Sequence, residues 1–312
     1  MKRIFIFFIS IILTFSLIGC GGTSISQNEK VNLIVSKNFA NEQIYNEQLD
    51  FVKDTSVMEI MEEHLEIEKA YGGGFVNSIN GLKSGFTDSK DKKKLDWFYY
   101  INGNLAQVGS DDYYLSSGDT IIWDYHDWSS ENYISSIIGA YPNNFTKGVE
   151  GSVLKLEIRY SEEFKEESEN VFKFLKSKGL KELDQRKLDD KDIENEEINT
   201  IIIGSWDEVS NIKYINDIYN KEINGLFFSI DSDIIKALDY NKKTSKEYQK
   251  GAVITSMPKG YGYYSNLWII TGNDEVSIKK AAKLLYENSE KIKGKISVLV
   301  SGSEILNIPI KK

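Results

Sequence analysis

The chain has two histidines, and His126 is the one whose surroundings suggest chemistry. It follows Asp124 and Tyr125 and precedes Asp127 and Trp128. Either nitrogen of an imidazole can coordinate a metal ion, cobalt included. No second ligand stands at the spacing of a known metal motif, so a surface-loop histidine is the alternative. The sequence places this candidate metal ligand just after a strand.

Aromatic side chains are numerous between residues 71 and 128. Along a strand they alternate between the two faces of a sheet, so some pack in the core and others point outward. An outward set would bind a flat, partly apolar ligand or the surface of a partner. We take Phe75, Trp97, Tyr99 and Tyr125 as candidate ligand contacts, with core packing as the alternative.

Three glycines, residues 72–74, precede a short strand that begins near Phe75. Glycine has no Cβ, so its backbone can bend tightly and a ligand can approach it closely. Gly73, Gly74, Asn77 and Ser78 are therefore further candidate ligand contacts. An ordinary hairpin is the alternative explanation of this segment.

The sequence carries no pattern typical of a catalytic site. A nucleophilic serine or cysteine needs a neighbouring base, and neither histidine lies near a nucleophile-elbow pattern. Acidic residues are abundant, which leaves an extracellular hydrolase with paired carboxylates as a residual alternative. We expect no catalytic residue, no enzymatic activity and no required cofactor.

The elements that must position these residues follow from periodicity and turn signals. Val31–Val35 is typical of a strand, and Val57–Leu65 of a helix with one apolar face. Ser56 and Glu59 have the spacing of a capping box, which predicts that the helix begins there. The helix is expected to pack on a sheet.

Two further strands and a hairpin complete the first domain. Asn102-Gly103 is a strong hairpin signal, because both residues tolerate positive φ, and it separates strands over 97–101 and 105–108. A β-branched and aromatic strand follows at 120–125. Residues 31–128 therefore form an α+β domain.

The pattern loosens over residues 129–151, which we interpret as a linker. From there on, strands and helices alternate, and this is typical of an α/β layered domain over residues 152–312. The expected strands are 153–158, 200–203, 226–230, 252–255, 267–271 and 296–300, and the expected helices are 162–178, within 207–219, and 276–292.

The N-terminus has the features of a bacterial signal peptide. Two basic residues precede an apolar run that is too short to remain as a spanning helix. The segment Leu17-Ile18-Gly19-Cys20 resembles the lipobox of bacterial lipoproteins, which implies cleavage before Cys20 and lipid on its sulfur. Residues 1–19 are then the signal peptide, and residues 20–30 are the lipidated cysteine and a flexible tether.

Cysteine count and charge restrict the partners. Cys20 is the only cysteine, so the chain can form neither an internal disulfide nor a cysteine zinc site. The net charge of -9 offers no basic stripe for nucleic acid. We expect an extracytoplasmic body, held on the cell membrane by lipid on Cys20.

Four segments of the chain carry a family resemblance, and they are residues 57–65, 73–81, 97–103 and 114–123. Together they resemble the transcobalamin-like C-terminal domain, the small β-grasp-like module of intrinsic factor and transcobalamin. The resemblance covers residues 31–128 and implies a β-grasp-like domain, followed here by an α/β layered domain that resembles no family. In the animal carriers the module lies over a corrin ring, so the resemblance implies cobalamin or a related corrinoid as ligand.

The leading hypothesis is a cell-surface lipoprotein that binds a small ligand, such as a corrinoid, for uptake by a membrane transporter. Residues 73–78 would offer backbone groups, the four candidate aromatic residues would offer apolar faces, and His126 would contact cobalt. The alternative is a non-catalytic docking module that binds another surface protein or a wall polymer.

Overall fold

The computed structural model describes residues 29–70, 75–87, 90–130, 134–231, 233–259 and 264–311. The predicted signal peptide, Cys20, Gly73 and Gly74 lie outside the described residues. The described chain combines helices with four β-sheets, which confirms the predicted α+β class. Residues 29–128 are called the N-terminal half below, and residues 152–311 the C-terminal half.

The N-terminal half is built on a mixed five-stranded sheet with strand order β2-β1-β8-β6-β7. Strands β1 and β8 are parallel, and the other pairs are antiparallel. This β-grasp arrangement, with one helix across the sheet, agrees with the predicted fold. The elements are β1 (Glu29–Lys37), β2 (Glu42–Phe51), α1 (Val57–His64), β3 (Ile67–Ala70), β4 (Phe75–Ile79), β5 (Leu82–Lys83), β6 (Leu95–Ile101), β7 (Asn104–Leu105) and β8 (Thr120–Asp127).

Helix α1 begins at the predicted capping box. The Glu59 N–H donates to Ser56 Oγ over 3.1 Å, and the Ser56 N–H donates to the Glu59 carboxylate over 2.7 Å. Two amides that the first turn leaves without partners are thereby satisfied. Val57, Ile60 and Met61 are fully buried against the sheet, so the predicted apolar face is confirmed.

The predicted hairpin is also confirmed. Asn102 and Gly103 form its two-residue turn with φ angles of 49° and 84°. The Asn102 side chain donates to Asp119 Oδ1 and accepts from the Thr120 N–H, both over 2.8 Å. Strand β7 ends at Leu105, earlier than the predicted strand, because residues 106–108 leave the sheet.

The C-terminal half contains a seven-stranded sheet and a separate three-stranded sheet. Two short helices precede the C-terminal half, in the segment that joins the two halves. The elements from residue 138 onward are η1 (Ile138–Ala140), α2 (Asn143–Thr146), β9 (Lys155–Tyr160), η2 (Glu162–Phe164), α3 (Lys165–Ser177), β10 (Leu183–Lys187), β11 (Ile198–Ile203), α4 (Trp206–Val209), α5 (Lys213–Tyr219), β12 (Phe228–Ile230), β13 (Ile235–Leu238), β14 (Thr244–Tyr248), β15 (Ala252–Pro258), β16 (Asn266–Gly272), α6 (Glu275–Glu287), η3 (Ser289–Ile292), β17 (Ser297–Ser301) and β18 (Glu304–Ile308).

The large sheet has the order β10-β9-β11-β16-β15-β17-β18. Strands β10, β9, β11 and β16 are parallel, and β15, β17 and β18 each run antiparallel to the preceding neighbour. Helices α3 and α6 cover one face through a buried cluster that includes Leu175 and Leu285. The α/β layered arrangement is therefore observed.

The two halves share a hydrophobic core. Ile34 of β1 and Ile122 of β8 belong to one buried cluster with Ile202 of β11 and Ile269 of β16. The sheet of the N-terminal half is thus covered on both faces, by α1 on one and by the C-terminal half on the other. This close packing fixes the relation between the halves.

The predicted linker is part of the packed structure. Ile137, Ile138 and Phe145 are fully buried, and η1 and α2 give the segment helical turns. The sequence indicated a loose connection because its apolar residues follow no single period. The boundaries that we predicted for two domains stay a prediction.

Candidate functional site

Strand register divides the predicted site residues between two faces of the N-terminal sheet. Trp97 pairs with Tyr125 across β6 and β8, and these two lie with Tyr99 on the face toward α1. His126 pairs with Asp96 and lies on the opposite face, toward the C-terminal half. Because neighbouring residues of a strand point in opposite directions, the aromatic set and His126 cannot form one site.

The aromatic residues on the α1 face form a packed layer. The Trp97 and Tyr125 rings lie 5.1 Å apart, and the Tyr99 ring stacks on Trp123 with centroids 4.7 Å apart. Their polar ends bind backbone: the Trp97 indole N–H donates to the Leu82 carbonyl over 3.0 Å, and the Tyr125 hydroxyl donates to the Lys83 carbonyl over 2.8 Å. Burial raises the pKa of Tyr125 above its ordinary value. This geometry gives the layer a packing role, and its contact with a ligand stays a prediction.

Strand β4 carries the other predicted contacts. Phe75 is half-buried at its start, and Asn77 and Ser78 are buried within it. The Asn77 carbonyl accepts the Ser84 N–H over 2.7 Å, so the strand is tied to the turn after β5. Gly73 and Gly74, which would offer the close backbone approach, lie outside the described residues.

The sequence predicted that His126 lies just after a strand, but the residue lies within β8. The imidazole is 4% exposed and is stacked between Phe39 and Phe98, with ring centroids at 4.5 and 4.2 Å. Its Nδ1 is 2.8 Å from Asp124 Oδ2. The surface-loop alternative is therefore wrong. Because the imidazole is almost fully buried and its Nδ1 faces Asp124, the ring is not presented at the surface to a corrin-bound cobalt, and its role as a metal ligand stays a prediction.

The Asp124 side chain connects His126 to the hairpin formed by β1 and β2. Its Oδ1 accepts from Ser36 Oγ over 2.6 Å and from the Ala40 N–H over 2.8 Å, while Oδ2 faces the imidazole. The carboxylate stands between the serine and the histidine, so His126 is not placed as a base for Ser36. The cluster is a buried polar network that orients the imidazole.

A cleft of about 740 Å³ lies where the end of β8 meets the C-terminal half. Ser129 and Ser130 line one side of it, and residues from the end of α5 through the turn after β13 line the other. Lining side chains from the C-terminal half are Tyr219, Lys221, Glu222, Ile223, Asn224, Leu226, Phe228, Ser229, Leu238, Asn241 and Lys242. The cleft therefore combines apolar side chains with hydroxyl, amide, ammonium and carboxylate groups.

Lys242 supplies a half-buried positive charge to this cleft. Its ammonium donates to Asn224 Oδ1 over 2.5 Å and to the Leu226 carbonyl, and it lies 4.8 Å above the Phe227 ring. Burial lowers the pKa of Lys242 to about 8, so the group is still mainly protonated at neutral pH. An ammonium has three N–H groups, and a ligand in the cleft can accept the third.

A second cavity, of about 460 Å³, lies beyond the carboxyl ends of β9, β11 and β16. Ligands of open α/β sheets commonly bind at this edge. Trp206 and Phe164 contribute apolar surface, and the acidic residues around it are Glu163, Asp207, Glu208, Asp231, Asp274 and Glu275. Within the described ranges, no group of three or more His, Cys, Asp or Glu residues is arranged to hold a metal ion.

Sequence patterns did not identify the cleft, because its residues come from separate stretches, 129–130 and 219–242. A turn signal was present at Asn224-Gly225, where Gly225 has φ 68°. Nothing local connects that turn with Ser129. Only the packing of the two halves brings these stretches together.

Comparisons with known proteins give one family match, within the N-terminal half, and two similar structures. A family model described as a domain of unknown function (DUF4430) matches residues 54–127. The chain is similar to haptocorrin, in a crystal structure in complex with Cbi, at 17% identity over 32% of this chain and 25% of that chain, with a TM-score of 0.27. It thus spans about a quarter of the haptocorrin chain.

A second similar structure is a protein from Ruminococcus gnavus ATCC 29149 whose suggested role is metal binding. The identity is 16% over 32% of this chain and 97% of that chain, with a TM-score of 0.25. No curated protein matches the chain. Among the described residues, no helix has the length and apolar character needed to cross a membrane.

Proposed function

We propose that this chain is an extracytoplasmic lipoprotein that binds a small ligand in the cleft beside Ser129 and Lys242. The observation that carries the proposal is the cleft itself. Its volume of about 740 Å³ lies within the range of small-molecule sites, roughly 300 to 1,000 Å³. Such sites combine apolar walls with a few polar groups that orient the ligand, as this cleft does.

The polar groups define the ligand class. Lys242 favours an anionic or strongly accepting group, while the Asn241 side chain can exchange hydrogen bonds with amides. Ile223, which is exposed, offers an apolar surface to the ligand body. The ligand is therefore a molecule with an apolar part and polar or anionic substituents.

A corrinoid is the first candidate for this ligand. The candidate comes from the sequence resemblance of residues 31–128, and the chemistry agrees with the cleft. Cobalamin carries peripheral amides and a phosphate around a flat ring. The protein would hold it through these substituents, without coordination by His126, because that imidazole is almost fully buried and its Nδ1 faces Asp124.

The position of the cleft suits a protein that is tethered at its N-terminus. Glu29 begins β1, and β1 runs parallel to β8, so Glu29 and Ser129 lie at opposite ends of the sheet. Strand β1 has nine residues, so these two ends of the sheet lie roughly 30 Å apart. With lipid on Cys20, the cleft would open away from the cell membrane. A membrane transporter that receives the ligand is the proposed partner, and we propose no catalysis.

Titration of the full chain, purified in detergent, with cyanocobalamin and with hydroxocobalamin tests the ligand assignment. We expect micromolar or tighter binding of both, of about equal strength, because the protein does not ligate cobalt. Binding should weaken as the pH rises through about 8, where Lys242 loses its charge. No binding of either form would refute the corrinoid assignment. Selective binding of hydroxocobalamin would show that a protein group ligates cobalt.

A further inference from the structure

Two aromatic side chains pack together on the surface at the end of β8. The Phe86 and Trp128 rings lie 5.6 Å apart and are tilted by 53°. Phe86 is 40% exposed, and Trp128 is half-buried. The Trp128 indole N–H donates to Asp96 Oδ2 over 3.0 Å, and Asp96 Oδ1 accepts from Ser84 Oγ over 2.5 Å. These bonds hold the indole in a fixed orientation.

Lysines surround this aromatic pair. The Lys92 ammonium lies 5.5 Å above the Phe86 ring, and the Lys94 ammonium lies 5.2 Å above the Trp128 ring. Lys90 and Lys93 are exposed on the same loop. A chain with a net charge of -9 therefore presents a local basic surface beside two aromatic rings. We call Phe86, Lys92, Lys94 and Trp128 the aromatic–lysine patch.

We propose that the aromatic–lysine patch binds an anionic polymer of sugar phosphates. Aromatic rings pack against the apolar C–H faces of sugars, and the lysine ammonium groups pair with phosphates. The Lys92 and Lys94 ammonium groups lie over the two rings, so a bound sugar phosphate would meet an aromatic face and a positive charge side by side. The net charge of the chain is -9, which disfavours a polyanion over the surface as a whole and leaves the local lysines to attract it.

The location of the patch favours a polymer over a lipid surface. Trp128 follows the end of β8, at the same end of the sheet as Lys37 and opposite to Glu29. A membrane that holds the chain by lipid on Cys20 would lie near Glu29. The patch would then face away from the membrane, where polymers of the cell surface are accessible.

Binding of the full chain to a glucosylated poly(glycerol phosphate) tests the proposal. Dextran, inorganic polyphosphate and phosphatidylglycerol vesicles serve as comparison ligands. We expect at least about tenfold tighter binding of the glucosylated polymer than of dextran, with an affinity that falls as salt is added. Tighter binding of vesicles, or equal binding of dextran, would overturn the proposal.

Variants assign the interaction to the patch. The double variant Lys92→Gln/Lys94→Gln should lose about tenfold in affinity for the polymer, and Phe86→Ala should lose several-fold. The matched control is Lys176→Gln/Lys178→Gln, because these lysines lie 5.6 and 5.1 Å above Phe172 and Phe174 of α3. The control changes net charge equally and should leave binding unaltered. An equal loss in the control would overturn the proposal.

Discussion

The phenyl ring of Phe39 stacks on the imidazole of His126 with ring centroids 4.5 Å apart. Phe39 lies at the tip of the β1–β2 hairpin, where Asn38, Phe39 and Ala40 all have φ between 57° and 59°. L-residues adopt this left-handed region at a cost, so packing must hold them there. Phe39 also lies 6.1 Å from the Phe227 ring and 5.6 Å from the Tyr240 ring, so it joins the two halves.

The first prediction concerns this contact. Phe39→Ala removes a buried ring from the shared core and should lower the free energy of unfolding by about 3 to 5 kcal/mol. Denaturant unfolding followed by tyrosine and tryptophan fluorescence measures the change. Phe86→Ala, which removes a ring that is 40% exposed, is the control and should cost much less. Equal losses would show that Phe39 does not stabilise the junction.

The second prediction compares two glycines of equivalent turns. Gly81 and Gly103 both follow asparagine and have φ angles of 78° and 84°. A Cβ at Gly81 would meet nothing within 4 Å, whereas a Cβ at Gly103 would lie 1.9 Å from Asn144 Nδ2. Gly81→Ala should cost about 1 kcal/mol from backbone strain alone. Gly103→Ala should cost clearly more in thermal unfolding, and a similar loss for both would contradict the close packing of α2 on the hairpin.

The third prediction is a pH dependence of stability. Lys259 is buried, its ammonium donates to Thr200 Oγ1 and to the Asn195 and Ile198 carbonyls, and burial lowers its pKa to about 7. Above that pH the unfolded chain holds a proton that the folded chain has lost. The free energy of unfolding should therefore rise between about pH 7 and 9, by up to about 1.4 kcal/mol per pH unit.

Lys259→Met should reduce this rise, leaving the part that Lys242 contributes above about pH 8, while Lys53→Met, at an exposed position, should leave it unchanged. Denaturant unfolding at a series of pH values measures both. A Lys259→Met protein with the same pH dependence as the unaltered chain would show that other groups cause the rise.

The fourth prediction concerns the proposed anchor. Cys20→Ser removes the thiol that would carry lipid, so the protein should move from the membrane fraction to the soluble extracellular fraction. Metabolic labelling with a fatty acid should mark the unaltered chain and not the variant. Label on the variant would contradict lipidation at Cys20.

Features that depend on neighbouring residues could be predicted from the sequence. The Ser56 and Glu59 capping box and the Asn102-Gly103 turn act within four residues, and both are present as expected. The alternation of strands and helices likewise predicted the α/β layered arrangement of the C-terminal half. These local signals were sufficient for the α+β class, whereas the β-grasp-like arrangement was expected from the family resemblance.

The site could not be predicted in the same way, because it depends on which face each strand presents. Four of the side chains concerned carry aromatic rings, yet strand register separates them into two pairs. Trp97 and Tyr125 face α1, whereas Phe98 and His126 face the C-terminal half. The environment of His126 is set by Phe39, which is distant in sequence. The cleft likewise requires Ser129 and Lys242 to meet through tertiary packing.

The most direct test of the proposed function is calorimetric titration of cyanocobalamin into a variant with a filled cleft. Ser229→Trp places an indole among the lining side chains, and Ser245→Trp, on the exposed strand β14 of the same small sheet, is the matched control. We predict that Ser229→Trp weakens binding at least about tenfold, or 1.4 kcal/mol, and that Ser245→Trp leaves it nearly unchanged. Equal affinities of the two variants would place the ligand outside the cleft and contradict the account.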